Sequence, residues 1–130
     1  MRRLTTLVLA AFLAAPAAQA AKPLPPQVSE AAAVTVKVTP RVLDGAVWEF
    51  DIAFDTHSRE LGDDLMKDAV LLGADGREVA PLEWKGAPPG GHHRAGVLRF
   101  QALSAVPDPL VLRIRRAGEA APRTFRWTLK

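Results

Sequence analysis

Between positions 48 and 55 large apolar side chains alternate strictly with mostly acidic ones: Trp48, Phe50, Ile52 and Phe54 against Glu49, Asp51, Ala53 and Asp55. A helix would scatter these four apolar groups around its circumference. An extended strand puts all four on one face and the carboxylates on the other. One face therefore meets a core and the other meets water, which is the pattern of an antiparallel sheet solvated on one side.

The same period of two recurs along the chain. Val34, Val36 and Val38 alternate with Thr35, Lys37 and Thr39, and Pro40 is expected to end that strand. Further strands are expected over 69–72, 78–84, 97–100, 110–115 and 124–129. Asp75-Gly76 is a hairpin signal between the first two of these. Residues 56–67 break the alternation, and Leu61, Leu65 and Met66 there suit one helical turn or an ordered loop. About seven short strands separated by turn signals, with no long helix, predict an immunoglobulin-like antiparallel β-sandwich. The chain has no cysteine, so the Cys-Trp-Cys signature of true immunoglobulin domains is missing, and the expectation concerns architecture alone.

Ahead of the strands lies a different kind of sequence. Arg2 and Arg3, an apolar run over 4–13, and Ala18-Gln19-Ala20 follow the order of a secretory signal peptide cut after Ala20. The expected organisation is a cleaved signal peptide over 1–20, a proline-rich tail over 21–32 and the β domain over 33–130. The mature chain is then periplasmic or secreted, with no membrane segment after cleavage. Without cysteine, disulfides and thiolate metal sites are excluded, so an apolar core must carry the stability.

The formal charge of +3 includes Arg2 and Arg3; without them 15 basic residues face 14 acidic ones. That near-balance gives no reason to expect a nucleic-acid partner. The charges are segregated, with Asp and Glu dominating 44–83 and Lys and Arg dominating 84–130. Acidic and basic strands paired across one sheet are the expected consequence.

The chain has three histidines, His57, His92 and His93. If successive strands run antiparallel, every second connection lies at the same end of the sandwich. The connection holding His57 and the one holding His92 and His93 then share an end, together with the turn near Gly118. Imidazoles with a carboxylate from Asp55, Asp63 or Asp64 make a ligand set for Cu(II), Ni(II) or Zn(II), with Cu(II) or Zn(II) the expected ion. The expected metal residues are His57, His92, His93 and Asp64. Adjacent histidines on a strand point to opposite faces, so both can ligate only from a loop, which Gly90 and Gly91 permit. The plainer alternative is a packed His57 ring and a His92-His93 hairpin covering Trp84.

No catalytic residues are assigned. Asp55, His57 and Ser58 have the types of a hydrolytic triad, but near neighbours in sequence rarely achieve its geometry, and no nucleophile elbow is present. The second expectation is an envelope protein partner, docked through an exposed edge or a loop end, with Arg113, Arg115 and Arg116 meeting an acidic surface.

Three segments carry a resemblance: F-D-I-A-F-D-T-H-S over 50–58, P-L-E-W-K-G over 81–86 and G-G-H-H-R-A-G-V-L-R-F over 90–100. With Arg123, Phe125 and Trp127 near the end, the chain resembles a family of uncharacterised exported prokaryotic β-sandwich proteins. The family has no established activity. The resemblance implies only that His57, His92, His93 and Arg94 are positions to test.

Overall fold

The computed structural model describes residues 23–129 and, before them, residue 11 alone. The signal-peptide expectation otherwise lies outside the described residues. Nine strands and one helical turn follow: β1 (Gln27–Ala31), β2 (Val34–Val42), β3 (Val47–Thr56), α1 (Leu65–Asp68), β4 (Ala69–Leu72), β5 (Glu78–Val79), β6 (Glu83–Gly86), β7 (His93–Gln101), β8 (Leu110–Ile114) and β9 (Arg123–Trp127). They form a five-stranded sheet in the order β1-β2-β3-β7-β6 and a four-stranded sheet in the order β5-β4-β8-β9. Every pairing is antiparallel. The molecule is an all-β, two-sheet sandwich.

The alternation of β3 does what its sequence requires: Trp48, Phe50, Ile52 and Phe54 are at most 3% exposed. They join Val36, Leu98, Leu112 and Phe125 in one cluster drawn from both sheets. Phe50 meets Phe100 edge to face at 5.7 Å and Trp127 at 6.1 Å. Removing each such side chain from water contributes roughly 1.5–3 kcal/mol.

The structure departs from the sequence reading in three places. Gln27–Ala31, within the stretch expected to be a tail, is a strand paired with β2. Prolines at 23, 25 and 26 do not prevent this, because they precede the ladder. Pro40 does not end β2, which continues to Val42 through a register shift at Arg41. β1 stops opposite Val38, so Pro40 sits where β2 is itself an edge and a missing N–H is tolerated. The single strand expected over 78–84 is two strands in different sheets: β5 pairs with β4 and β6 with β7. The chain crosses between them at buried Pro81, which cannot donate to a ladder.

β5 and β6 keep the same heading, so the parity argument survives the split. The turn after β1, the connection after β3, the connection after β6 and the turn after β8 lie at one pole. Their contacts confirm it. Thr56 N donates to His92 O at 2.9 Å, and Gly90 N donates to Leu61 O at 2.8 Å. A cleft of about 380 Å³ is lined by Ala32, Arg59 and Gly118 together.

Candidate functional site

The pole that gathers the histidines is built mainly from buried polar side chains. Thr56, 7% exposed, ends β3. Its hydroxyl donates to Ala33 O at 2.7 Å and accepts from the backbone N–H groups of Ser58 and Arg59. Ala32 and Ala33 form the β1–β2 turn at φ of 48° and 63°, a left-handed conformation that costs an alanine roughly 1–2 kcal/mol per residue. Hydrogen bonds on both sides hold the turn. Arg123 donates to the carbonyls of Ser29, Ala31 and Val34 at 2.8–3.1 Å.

Arg123 also meets Glu119, which in turn meets Arg116, which closes on Asp63 through two bonds of 2.9 and 3.0 Å. This chain of ions joins the β8–β9 turn to the loop before α1. Hydrogen bonding to Arg123 is the largest effect on the Glu119 carboxyl. With attraction to Arg123 and Arg116 it outweighs burial and lowers the Glu119 pKa below the ordinary carboxylate value. Burial opposes the charge on Arg116, but Asp63 and Glu119 together raise its pKa above the usual guanidinium value.

Arg94, 2% exposed, points inward from β7. It donates to Ala87 O and Asp63 O and lies over the Trp84 ring at 5.5 Å. Trp84 Nε1 donates to the same Ala87 oxygen. Gly86 and Gly96 face each other across β6 and β7 beneath that indole; a Cβ on Gly96 would stand 2.5 Å from Gly86 Cα and 2.8 Å from the ring. Trp84, Gly86, Arg94 and Gly96 are thus one packing unit.

The expected metal residues point in different directions. His93, exposed on the outer face of β7, places Nδ1 2.5 Å from Asp55 Oδ1, its cross-strand neighbour on β3. His57 lines a cleft beside the β1–β2 turn with Glu30 and Thr35. Asp64 caps α1 by accepting from Met66 N at 3.1 Å, and Asp63 is held by Arg116. Among the described residues no group of three or more His, Asp or Glu is arranged to hold a metal ion. The expected set of His57, His92, His93 and Asp64 is therefore not assembled. The loops adjoin, but strand alternation sends His93 outward to Asp55, and helix capping occupies Asp64. The triad types separate in the same way, since Asp55 meets His93 rather than His57.

The outer faces of the two sheets differ. On the five-stranded sheet, Arg41, Glu49, Arg99 and Glu83 form one row across four strands. Arg99 lies 3.4 Å from Glu49 and 2.9 Å from Glu83, and Arg41 lies 3.7 Å from Asp51 and 4.0 Å from Glu49. Acidic β3 is thus paired with basic positions on its neighbours.

On the four-stranded sheet the outer positions are Val70 and Leu72 of β4, Val111 and Arg113 of β8, and Thr124 and Arg126 of β9. Arg115 continues the Arg113 face, where both line a groove of about 120 Å³ with Val70, Lys67, Asp68 and Glu78. Among the described residues no carboxylate lies within 4.0 Å of Arg113, Arg115 or Arg126. Val111 is 5% exposed although it faces outward, so its neighbours cover it. Arg116, grouped with Arg113 and Arg115 from the sequence, belongs to the interior ion chain instead. It shares the parity of inward-facing Leu112 and Ile114. That parity was the signal that could have placed it, and Arg126 is the member sequence reasoning missed.

No known protein family, curated protein or solved structure matches the chain.

Proposed function

We propose that the chain is an exported, non-enzymatic recognition domain of immunoglobulin-like plan. It docks on an envelope protein through the outer face of its four-stranded sheet. The observation that carries this reading is the contrast between the two outer faces. The arginines of one are ion-paired within the sheet. The other sets half-buried Val70 and Leu72 beside three arginines that, among the described residues, have no carboxylate within 4.0 Å. Apolar residues ringed by arginine are typical of protein interfaces.

Other features support the remaining parts. The basic, apolar and Ala-x-Ala order over 1–20 supports export to the periplasm or beyond. Two antiparallel sheets, with the chain passing from one to the other at Pro81, support the immunoglobulin-like plan. The non-enzymatic reading is supported by the occupation of Asp63, Arg94, Arg116, Glu119 and Arg123 in holding backbone and one another.

A second reading is Cu(II) or Zn(II) binding at the histidine pole. Asp55 orients the His93 ring in the way a carboxylate orients a metal-bound imidazole, and the His57 and His92 loops adjoin. Among the described residues no three such side chains converge on a common point.

A photo-crosslinking side chain at position 72, and another at Val97 on the opposite outer face, would test the docking reading in producing cells. Adducts from position 72 and none from position 97 are the expected result. Equal adducts from both, or none from position 72, would contradict it.

A further inference from the structure

The docking face carries a chemical preference, and the argument for it rests on the docking reading above. Arg113 stands near its centre, half-buried, with a buried Nε that has no hydrogen-bond partner among the described residues. Arg99 on the other sheet also has such an Nε, but carboxylates of Glu49 and Glu83 neutralise its guanidinium. Among the described residues Arg113 has no carboxylate within 4.0 Å. A guanidinium partly withdrawn from water and not in direct contact with a carboxylate interacts strongly with an incoming one, because screening is weak and its planar fork is already oriented.

Two more guanidiniums surround this anchor. Arg115 is two residues further along the same face, roughly 6.8 Å away in an extended chain. Arg126 is its diagonal neighbour on β9, since Thr124 stands opposite Arg113 and Val111 opposite Arg126. Such diagonals are roughly 7–8 Å. The acids of this surface, Glu78 and Asp68, line the β4 side of the groove together with Lys67, Arg113 and Arg115, and the Arg115 N–H donates to Asp68 O at 2.8 Å. They repel an anion there and leave the β8–β9 side open to it.

We infer that the partner presents an extended acidic polypeptide segment, with carboxylates at alternate positions, to Arg113, Arg115 and Arg126. Alternate side chains of an extended strand share a face at roughly 6.8 Å, the same spacing as Arg113 and Arg115. Half-buried Val70 and Leu72 lie beside the arginines and meet the apolar part of the segment.

The test uses a capped peptide of alternating Glu and Thr, titrated into the protein and followed by NMR. Expected are shifts of the Arg113, Arg115 and Arg126 Nε–H signals and a Kd below about 1 mM at about 50 mM salt. Arg113→Gln should weaken binding by about fivefold or more, and Arg59→Gln, at the pole, should change it by less than about twofold. If Arg113→Gln loses its folded spectrum, Arg126→Gln at an exposed position replaces it, with about threefold weakening expected. Binding that ignores both arginine substitutions overturns the inference. So does tighter binding through these arginines of a heparin oligosaccharide or of phosphatidylglycerol vesicles, which would assign the face to sulfate or phosphate. Adducts at position 72 without any peptide binding leave the docking reading standing and this inference refuted. The absence of both refutes both.

Discussion

The guanidinium of Arg123 on β9 donates to the carbonyl oxygen of Ser29 on β1 at 2.9 Å, tying the edges of two different sheets across 94 positions of sequence. Trp127 repeats the device two turns of the pleat further on, its Nε1 donating to Pro25 O at 2.7 Å. The Ser29 and Ala31 carbonyls of β1 are thereby occupied, which disfavours strand addition by another chain at this edge. Arg123 is 5% exposed, and its other partner is Glu119. Arg123→Gln leaves that carboxylate without its main counter-charge and frees three carbonyls. The expected loss is about 3 kcal/mol of unfolding free energy, read by urea denaturation. A loss under about 1 kcal/mol would mean the latch is not needed.

Gly96 has no room for a side chain. A Cβ there would meet backbone atoms, Gly86 Cα at 2.5 Å and Lys85 O at 2.6 Å, so β6 and β7 would have to separate. Gly96→Ala is expected to cost about 2 kcal/mol and to loosen Trp84, seen as lower thermal stability with red-shifted tryptophan emission. Unchanged stability would show that the two strands can part at no cost.

Acid should weaken the fold through Glu119. Its folded pKa lies below its unfolded value, with Arg123 the main cause. The unfolded chain therefore takes up the proton first as pH falls. The stabilisation is fully present above the unfolded value near 4.5 and is lost as pH drops through the folded value. Denaturation midpoints of wild type and Glu119→Gln should differ most at pH 7 and converge in acid. A difference that stays constant from neutral to acid pH would contradict the assignment.

Much of the fold was legible because period-two alternation is a property of the strand itself. Trp48, Phe50, Ile52 and Phe54 declared their face, and strand parity brought the His57 and His92 connections to one pole across about 35 positions. What was not legible was where side chains at strand ends are used. Arg94 shares the inward parity of Leu98 and Phe100, and Arg123 that of Phe125 and Trp127, yet a charged residue on a core face reads as surface until its carbonyl partners are known. The D-T-H-S segment suggested chemistry. Its threonine fastens a turn, its aspartate orients His93, and its serine lends a backbone N–H to Thr56. The division of the 78–84 stretch between two sheets followed from Pro81, whose lost donor has no consequence that local sequence can locate.

The histidine pole should bind metal weakly. Two adjoining loops without three converging ligands give little chelation, so Cu(II) and Zn(II) titrated into tag-free protein should show no site tighter than about 10 μM. A tighter site that His57→Ala abolishes would overturn the preference for docking over metal binding.

On the docking proposal one sheet face meets a partner and the other meets water. Hydrogen–deuterium exchange on the complex with the position-72 adduct partner, added as intact protein, reads both faces at once. Slower exchange is expected over β4, β8 and β9, with β3 and β7 unchanged. Protection confined to β3 and β7, or to the loops of the histidine pole, would contradict the claim.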